Sequence, residues 1–267
     1  MLLLAFDTAT PQISVALHNG ERVIAETSAV DARRHGELLA PSVNRVLAGA
    51  GQPMSAVTAI VAGVGPGPYT GLRVGVVTAR VLGAALGVLV HGVCTLDVIA
   101  HDAALVRKSI PPGTPFLVAT DARRKEVYWA RYGPLAERLS GPAVSRPADV
   151  PGASGAWAAG QGAWLYADGF GQLAEPEFPS ASVLAALVAS RLAGEGAGPR
   201  EGAVPREGAV PREGARSREG AGSPRPAGEG AASPQQAPTI PLLDPEPLYL
   251  RRPDVRQPGP PKAVTPR

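Results

Sequence analysis

Cysteine is almost missing from this chain: Cys94 is the only one among 267 residues. That excludes an intramolecular disulfide and suits a reducing compartment. Histidine is equally sparse. His18, His35, His91 and His101 never fall three to five residues apart, so no helix can present two imidazoles on one face. A zinc-protease reading falls away, and no metal-ligating residue is selected. Long apolar runs are also lacking. MLLLAF ends at Asp7, and LGVLVHGVCTL (86–96) is eleven residues; both are too short to cross a membrane, and the first has no basic flank of a signal peptide. The expectation is a cytoplasmic protein with no membrane partner. Nor does one sign of charge dominate. Residues 1–193 carry 15 basic and 14 acidic groups, so a net charge of +3 announces no nucleic-acid surface.

What is present is organised around 59–89, AIVAGVGPGPYTGLRVGVVTARVLGAALGVL. Residues 59–64 read as a strand buried on both faces, and Gly65-Pro66-Gly67-Pro68 forces a turn. A helix follows, with Thr70 expected as its N-cap. The loop has two readings, an anion site at a helix N-terminus or a tight turn of a βα unit. It is not a Walker loop, because the Gly-Lys-Ser/Thr ending is missing. From Gly71 a small residue recurs every fourth position, through Gly75, Ala79 and Gly83 to Gly87. Each interior glycine costs a helix roughly 1 kcal/mol, so the strip is expected to pack closely on another backbone, with a partner helix the candidate. Arg73 sits in the first turn, where the helix dipole disfavours a cation. A carboxylate, phosphate or partner chain is expected beside it.

Upstream, strands at 2–6, 13–17 and 22–27 form a meander, with Asn19-Gly20 as hairpin turn. Residues 31–50 read as a helix that Pro41 should kink or divide. His35 reads as a helix-contact residue rather than a ligand. Downstream come a strand at 88–91 and a helix at 95–105. A second strand–Asp–strand unit, 116–121 and 127–132, echoes the first, with Asp121 standing as Asp7 does. Ser180 is a candidate cap for a helix through Leu192. Residues 194–238 then hold ten Gly and seven Pro in six-residue units such as EGAVPR, a composition expected of a disordered insertion. Apolar character returns at 240–250, a segment expected to dock on the folded body, before a Pro-rich tail.

LAFDTATPQISVAL, RRHGELLAPSVNRVL, VGPGPYTGLRVGVVTARVLGAALG, GVCTLDVIA, DARRKEVYWARY and PLYLRRPDV, in that order, resemble the TsaB (YeaZ) family. Pro68 and Tyr69 stand where that family usually has Ser-Phe. The resemblance covers most of 1–192 and 240–254. It implies an α/β fold of the actin/hexokinase/Hsp70-like (ASKHA) type, with two related lobes. The expected division is 1–108 for the first lobe, 109–193 plus 239–255 for the second, 194–238 for the insertion and 256–267 for a disordered tail.

The resemblance further implies a non-catalytic scaffold or dimerisation subunit for threonylcarbamoyl transfer to adenosine 37 of tRNA (t6A). Such a subunit binds the catalytic subunit TsaD, with the ATPase TsaE as a further partner. It meets tRNA only through the complex and forms a homodimer when alone. The interface helices correspond to 33–50 and 70–86, which assigns contact to His35, Glu37, Leu38, Pro41, Gly71, Arg73, Gly75, Ala79, Leu82 and Gly83. No catalytic residue and no cofactor of the isolated chain is assigned; a nucleotide would sit at the heteromer interface. Residues expected nearest an anion or nucleotide are Asp7, Thr8, Gly65, Gly67, Thr70, Asp121 and Arg123. The alternative is a small-molecule kinase or ATP-binding protein of the same fold. Such kinases cradle ATP with Asp-x-Gly turns, and Asp7-Thr8-Ala9 and Asp121-Ala122-Arg123 lack those glycines.

Overall fold

The computed structural model describes residues 1–195 and 241–250. The first sheet contains β1 (Leu3–Asp7), β2 (Gln12–His18), β3 (Val23–Val30), β4 (Ala59–Gly63) and β5 (Leu89–Val93), in the order β3-β2-β1-β4-β5. β1 pairs antiparallel with β2 and parallel with β4. The second contains β6 (Phe116–Asp121), β7 (Val127–Tyr132), β8 (Arg138–Ser145), β9 (Trp157–Ala159) and β10 (Gln172–Ala174), in the order β10-β9-β6-β7-β8. β6 pairs antiparallel with β7 and parallel with β9. The two sheets thus repeat one topology, as the echo of Asp7 in Asp121 suggested. Among the described residues five α-helices accompany them: α1 (His35–Gly49), α2 (Tyr69–Leu86), α3 (Thr95–His101), α4 (Gln161–Leu165) and α5 (Ala181–Glu195).

Period-two alternation explains the layers. Along β1, Leu4 and Phe6 enter a core shared with Leu39, Val43 and Val46 of α1 and Ala79 of α2. Leu3 and Ala5 enter another, with Leu184 and Val188 of α5. Both faces are covered, which is why β1 is a continuous apolar run. At the β2–β3 turn, Asn19 Oδ1 accepts from the backbone N–H groups of Glu21 (3.0 Å) and Arg22 (2.9 Å), while Gly20 takes φ +99°.

Several expectations need correction. α1 is one helix through Pro41; the ring and Glu37, whose carbonyl it leaves unbonded, are both exposed, so water can serve that carbonyl. Thr70 is not the cap of α2. The helix begins two residues earlier, at Tyr69, Pro68 holds the cap position, and no side chain caps it. The helix expected at 95–105 is α for only seven residues and continues as a π turn over Asp102–Val106. β8 and β10 were not foreseen. α5 follows the second sheet in the chain but packs on the first, so packing does not respect the expected division for this helix. α3 also spans both: Leu96 and Ile99 join Phe116 and Val118, while Val98 joins Leu3 and Val61. Ser180 caps α5 as expected, its Oγ accepting from the Val183 N–H at 3.4 Å.

The returning segment docks on the body. Gly92 N–H donates to the Leu243 carbonyl (2.7 Å), Leu243 N–H returns the bond (2.8 Å), and Leu248 N–H donates to Val64 (2.8 Å). Leu243 and Leu248 pack beneath both α2 and α3. The expected insertion, after its first two residues, and the expected tail lie outside the described residues.

Ending the chain at residue 240 should therefore lower stability. Removing Leu242, Leu243 and Leu248, the half-buried leucines that pack on the core clusters, is worth about 3 kcal/mol, roughly 6–12 °C in melting temperature. Thermal unfolding of the truncated and full chains measures this; equal midpoints would show that the docked segment contributes nothing.

Candidate functional site

β1 and β4 end side by side, and the site is built where their loops meet. Asp7, the last residue of β1, is buried. Its Oδ1 accepts the Ala9 N–H at 2.7 Å, and its Oδ2 accepts the Thr95 hydroxyl at 2.8 Å. Thr95 Oγ1 in turn accepts the Gly65 N–H at 3.1 Å, and Thr95 N–H donates to the Gly65 carbonyl at 2.7 Å. Burial pushes the Asp7 carboxyl above its ordinary range, an effect partly offset by those two hydrogen bonds and by His35. Both carboxylate oxygens are thus engaged within the chain. The glycine loop lies directly on the β1 turn. A Cβ on Gly63 would overlap the Asp7 carboxylate, and one on Gly67 would overlap the Ala9 carbonyl. Close backbone approach accounts for these glycines, so the tight-turn reading of the loop suffices.

The small-residue strip of α2 faces inward, contrary to its expected role as a partner surface. A Cβ on Gly71 would lie 2.6 Å from the Thr8 carbonyl; one on Gly75 would overlap Thr8 Oγ1, and one on Gly83 would overlap the Val90 side chain. Thr8 Oγ1 donates to the Gly71 carbonyl at 2.8 Å. Ala79 is wholly buried in the core beneath the helix. The partner that compensates these glycines is the chain's own β1 turn and β5. His35 is also buried, with Nε2 2.7 Å from the Thr10 carbonyl oxygen. Of the expected contact residues, Glu37, Pro41 and Arg73 are exposed, Leu38 and Leu82 are half-buried, and the rest are buried.

Sequence reasoning missed the opposite face of α2. Val77 is 49 % exposed and Val81 60 %, with Arg73, Arg80 and Ala84 exposed around them. Their i, i+4 spacing was the available signal. Among the described residues Arg73 meets Tyr69 rather than a carboxylate. Its Nη1 donates to Tyr69 Oη at 2.8 Å, and its guanidinium lies 5.1 Å over the same ring. Tyr69 stacks on Tyr249 of the docked segment, with centroids 5.3 Å apart.

Of the expected anion set, Thr8, Thr70 and Arg123 line one cavity of about 200 Å³ with Thr10, His35 and Gly71. Asp7, Gly65, Gly67 and Asp121 do not line it. Asp121 Oδ1 accepts the Arg123 N–H at 2.9 Å and Oδ2 pairs with its guanidinium at 3.4 Å. A cavity of about 590 Å³ lies elsewhere, lined by Gln12, Ser14, Glu26, Arg107, Glu175 and Glu177 among others, none of them selected from the sequence.

Asp97 and Cys94 form a second buried cluster. Asp97 Oδ1 accepts the Tyr132 hydroxyl at 2.7 Å and lies 3.5 Å from Arg138 Nε. The Cys94 thiol beside them is pushed up to about 12, first by burial and then by Asp97, which leaves it unreactive at neutral pH. Among the described residues, no three His, Cys, Asp or Glu side chains gather as a metal-binding group, and no helix is long and apolar enough to cross a membrane.

Comparison with known proteins extends these findings. The family described as TsaD: tRNA N6-adenosine threonylcarbamoyltransferase matches residues 22–190. The solved structure of YeaZ from Pseudomonas aeruginosa superposes with a TM-score of 0.61 at 30% identity, over 73% of this chain and 94% of that one. An uncharacterized protein of Mycobacterium leprae is 44% identical over 191 residues, 70% of this chain and 50% of that protein. The tRNA threonylcarbamoyladenosine biosynthesis protein TsaB of Escherichia coli is 39% identical over 132 residues, 49% of this chain and 55% of that protein. The chain spans about half the length of these two curated relatives.

Two outcomes follow for the buried bridge. Thr95→Val leaves Asp7 Oδ2 and the Gly65 N–H without their partner and should cost about 2–4 kcal/mol in urea unfolding; a loss below the error of the fit would mean the bridge is dispensable. Asp7→Asn should flatten the pH dependence of stability. The folded carboxyl titrates above its unfolded value of 3.8, so the stability from its protonation is full below that pH. It is lost as pH rises through the folded value. Wild type should lose ground to Asp7→Asn across that window, and parallel stability curves would contradict it.

Proposed function

The chain belongs to the TsaB (YeaZ) family, and from that membership we propose that it is a non-catalytic subunit in the synthesis of threonylcarbamoyladenosine in tRNA. It binds the catalytic subunit TsaD through the outer faces of α1 and α2, in the cytoplasm. TsaD carries out transfer to adenosine 37, TsaE joins as a further partner, and tRNA is met through the complex. We read the two lobes as ASKHA-like.

The observation that carries the reading is the exposed Val77–Val81 ridge of α2. Two β-branched apolar side chains one turn apart on a solvent face call for a cover. The inward strip cannot supply that contact, because it is filled by Thr8 and Val90. A nucleotide, in this reading, sits at the edge of the heteromer near Thr8, Thr70 and Arg123. The alternative of a self-sufficient kinase draws less support, since Asp7 is engaged on both oxygens and the Gly67 loop rests on Ala9. When alone, the chain covers the ridge with a second copy.

Val77→Asp and Val81→Asp alter exposed positions and should leave the fold intact while abolishing the 1:1 complex with TsaD from the same organism. Size-exclusion chromatography with light scattering reads both the complex and the fold. A heteromer formed by the variants as readily as by wild type overturns the assigned face. ATP turnover on a small acceptor by the isolated chain, with no association, brings the kinase reading forward.

A further inference from the structure

The chain has two asparagines, Asn19 and Asn44. Asparagine is thermolabile, because the nitrogen of the following residue can close a five-membered ring on its side-chain carbonyl. Asn44 lies inside α1 and is followed by Arg45, whose N–H belongs to the helix. Asn19 is followed by Gly20, which has no Cβ to crowd ring closure. Both are half-buried, within reach of water. Three groups converge on them. Gly20 N–H donates to His18 Nδ1 at 3.0 Å. The N–H groups of Glu21 and Arg22 donate to Asn19 Oδ1 at 3.0 and 2.9 Å. His18 is buried, and burial holds its imidazole below the ordinary value, so the ring is neutral at physiological pH with Nδ1 able to take a proton. The β2–β3 turn therefore holds a nucleophile, a base on that nucleophile, and two donors on the carbonyl beside it.

We propose that Asn19 is a self-modifying site, whose own turn catalyses its deamidation through a succinimide. The Gly20 nitrogen bonds to Asn19 Cγ while its proton passes to His18 Nδ1. The negative charge that develops on Oδ1 is met by the N–H groups of Glu21 and Arg22. Collapse breaks the Cγ–Nδ2 bond; the amine takes the proton back from His18 and leaves as ammonia. Water then opens the ring. Attack at Cγ gives aspartate, and attack at the Asn19 backbone carbonyl gives isoaspartate. One water is consumed and one ammonia released, with no oxidant or reductant. The two products differ in consequence. Aspartate keeps oxygens for both N–H groups. Isoaspartate lengthens the backbone between β2 and β3 by one carbon, next to a pairing already irregular at Leu17 and His18. The hairpin is thereby marked with age. The reaction needs no partner, so it stands or falls apart from the subunit reading.

The test incubates the full chain in neutral buffer and follows Asn19 and Asn44 by peptide mass spectrometry, which reads replacement of NH2 by OH and separates aspartate from isoaspartate. Asn19 should convert and Asn44 should not. Folded wild type should convert Asn19 about 10²-fold faster than the same chain unfolded in urea, the size of effect a positioned base supplies. His18→Gln, whose amide accepts a hydrogen bond but takes no proton, should remove that gain. A folded chain that converts no faster than the unfolded one shows that the turn protects Asn19, and overturns the proposal whether or not His18→Gln folds. A folded His18→Gln that converts as fast as wild type overturns the base. Conversion of Asn44 at the rate of Asn19 overturns the site.

Discussion

Everything in the first lobe depends on how closely two backbones approach where β1 and β4 end. The strands are adjacent and parallel, so the turn after Asp7 and the loop after Gly63 emerge into the same space. They fit only because one of them lacks side chains. The Asp7 carboxylate, the Ala9 carbonyl and Thr8 occupy the volumes that Cβ atoms on Gly63, Gly67 and Gly75 would need. Each glycine within α2 costs helix stability of roughly 1 kcal/mol. Burying Asp7 adds a desolvation cost. These are offset by van der Waals contact across the seam and by a complete set of partners for the buried polar atoms: Asp7 with Ala9 and Thr95, Thr95 with Gly65. Without Thr95, at the start of α3, two buried groups would face each other unbonded. The bridge thereby ties α3, which also packs under the second sheet, to the loop that launches α2.

The second lobe repeats the geometry with a different outcome. Gly160 and Gly162 press on Ala119 and Thr120 at the end of β6 much as the first loop presses on the end of β1. Asp121, the counterpart of Asp7, stays near the surface and pairs with Arg123. The helix after the second loop, α4, has five residues against eighteen in α2. One lobe therefore presents a long helix with a free outer face, and the other does not. A duplicated topology is asymmetric in the length of the helix that follows the loop, eighteen residues in α2 and five in α4.

Much of this was readable in the sequence wherever the deciding contact is local. Asn19-Gly20 specifies its own hairpin, Ser180 its own cap, and the apolar run at 59–63 its burial. The strip Gly71, Gly75, Ala79, Gly83 was also readable as one face. Spacing cannot say which way a face looks, and here the answer lies in Thr8 and Val90, the first 63 residues from Gly71. Arg73 illustrates the same limit. The dipole argument expected a carboxylate, phosphate or partner chain, whereas the side chain that Arg73 meets is Tyr69, four residues earlier. Tyr249, which stacks on Tyr69, lies 176 residues beyond Arg73. α5 (ASVLAALVASRLAGE) is apolar enough to declare itself buried, but nothing local says that it returns to the first sheet. β8 carries Gly141-Pro142 and lies at a sheet edge, where strand chemistry is weakest.

Three buried groups, Asp7, Asp97 and Cys94, lie within contacts that hold the two sheets and their helices together. Asp7 has both oxygens bonded inside the chain, Asp97 is fixed between Tyr132 and Arg138, and Cys94 sits too high to ionise. The outer face of α2 exposes two valines beside two arginines. Such a surface works by being presented rigidly, because ordering a helix during association would subtract from affinity. α2 is held from beneath by Thr8 and Val90 and from the side by the Tyr249–Tyr69–Arg73 stack. The same glycines that weaken the helix in isolation allow the turn to clamp it, so the helix is least autonomous where it is best supported. The docked segment 241–250 belongs to that support. By bonding to Val64 before α2 and Gly92 after it, and by stacking on its first turn, this segment helps fix the position of the helix.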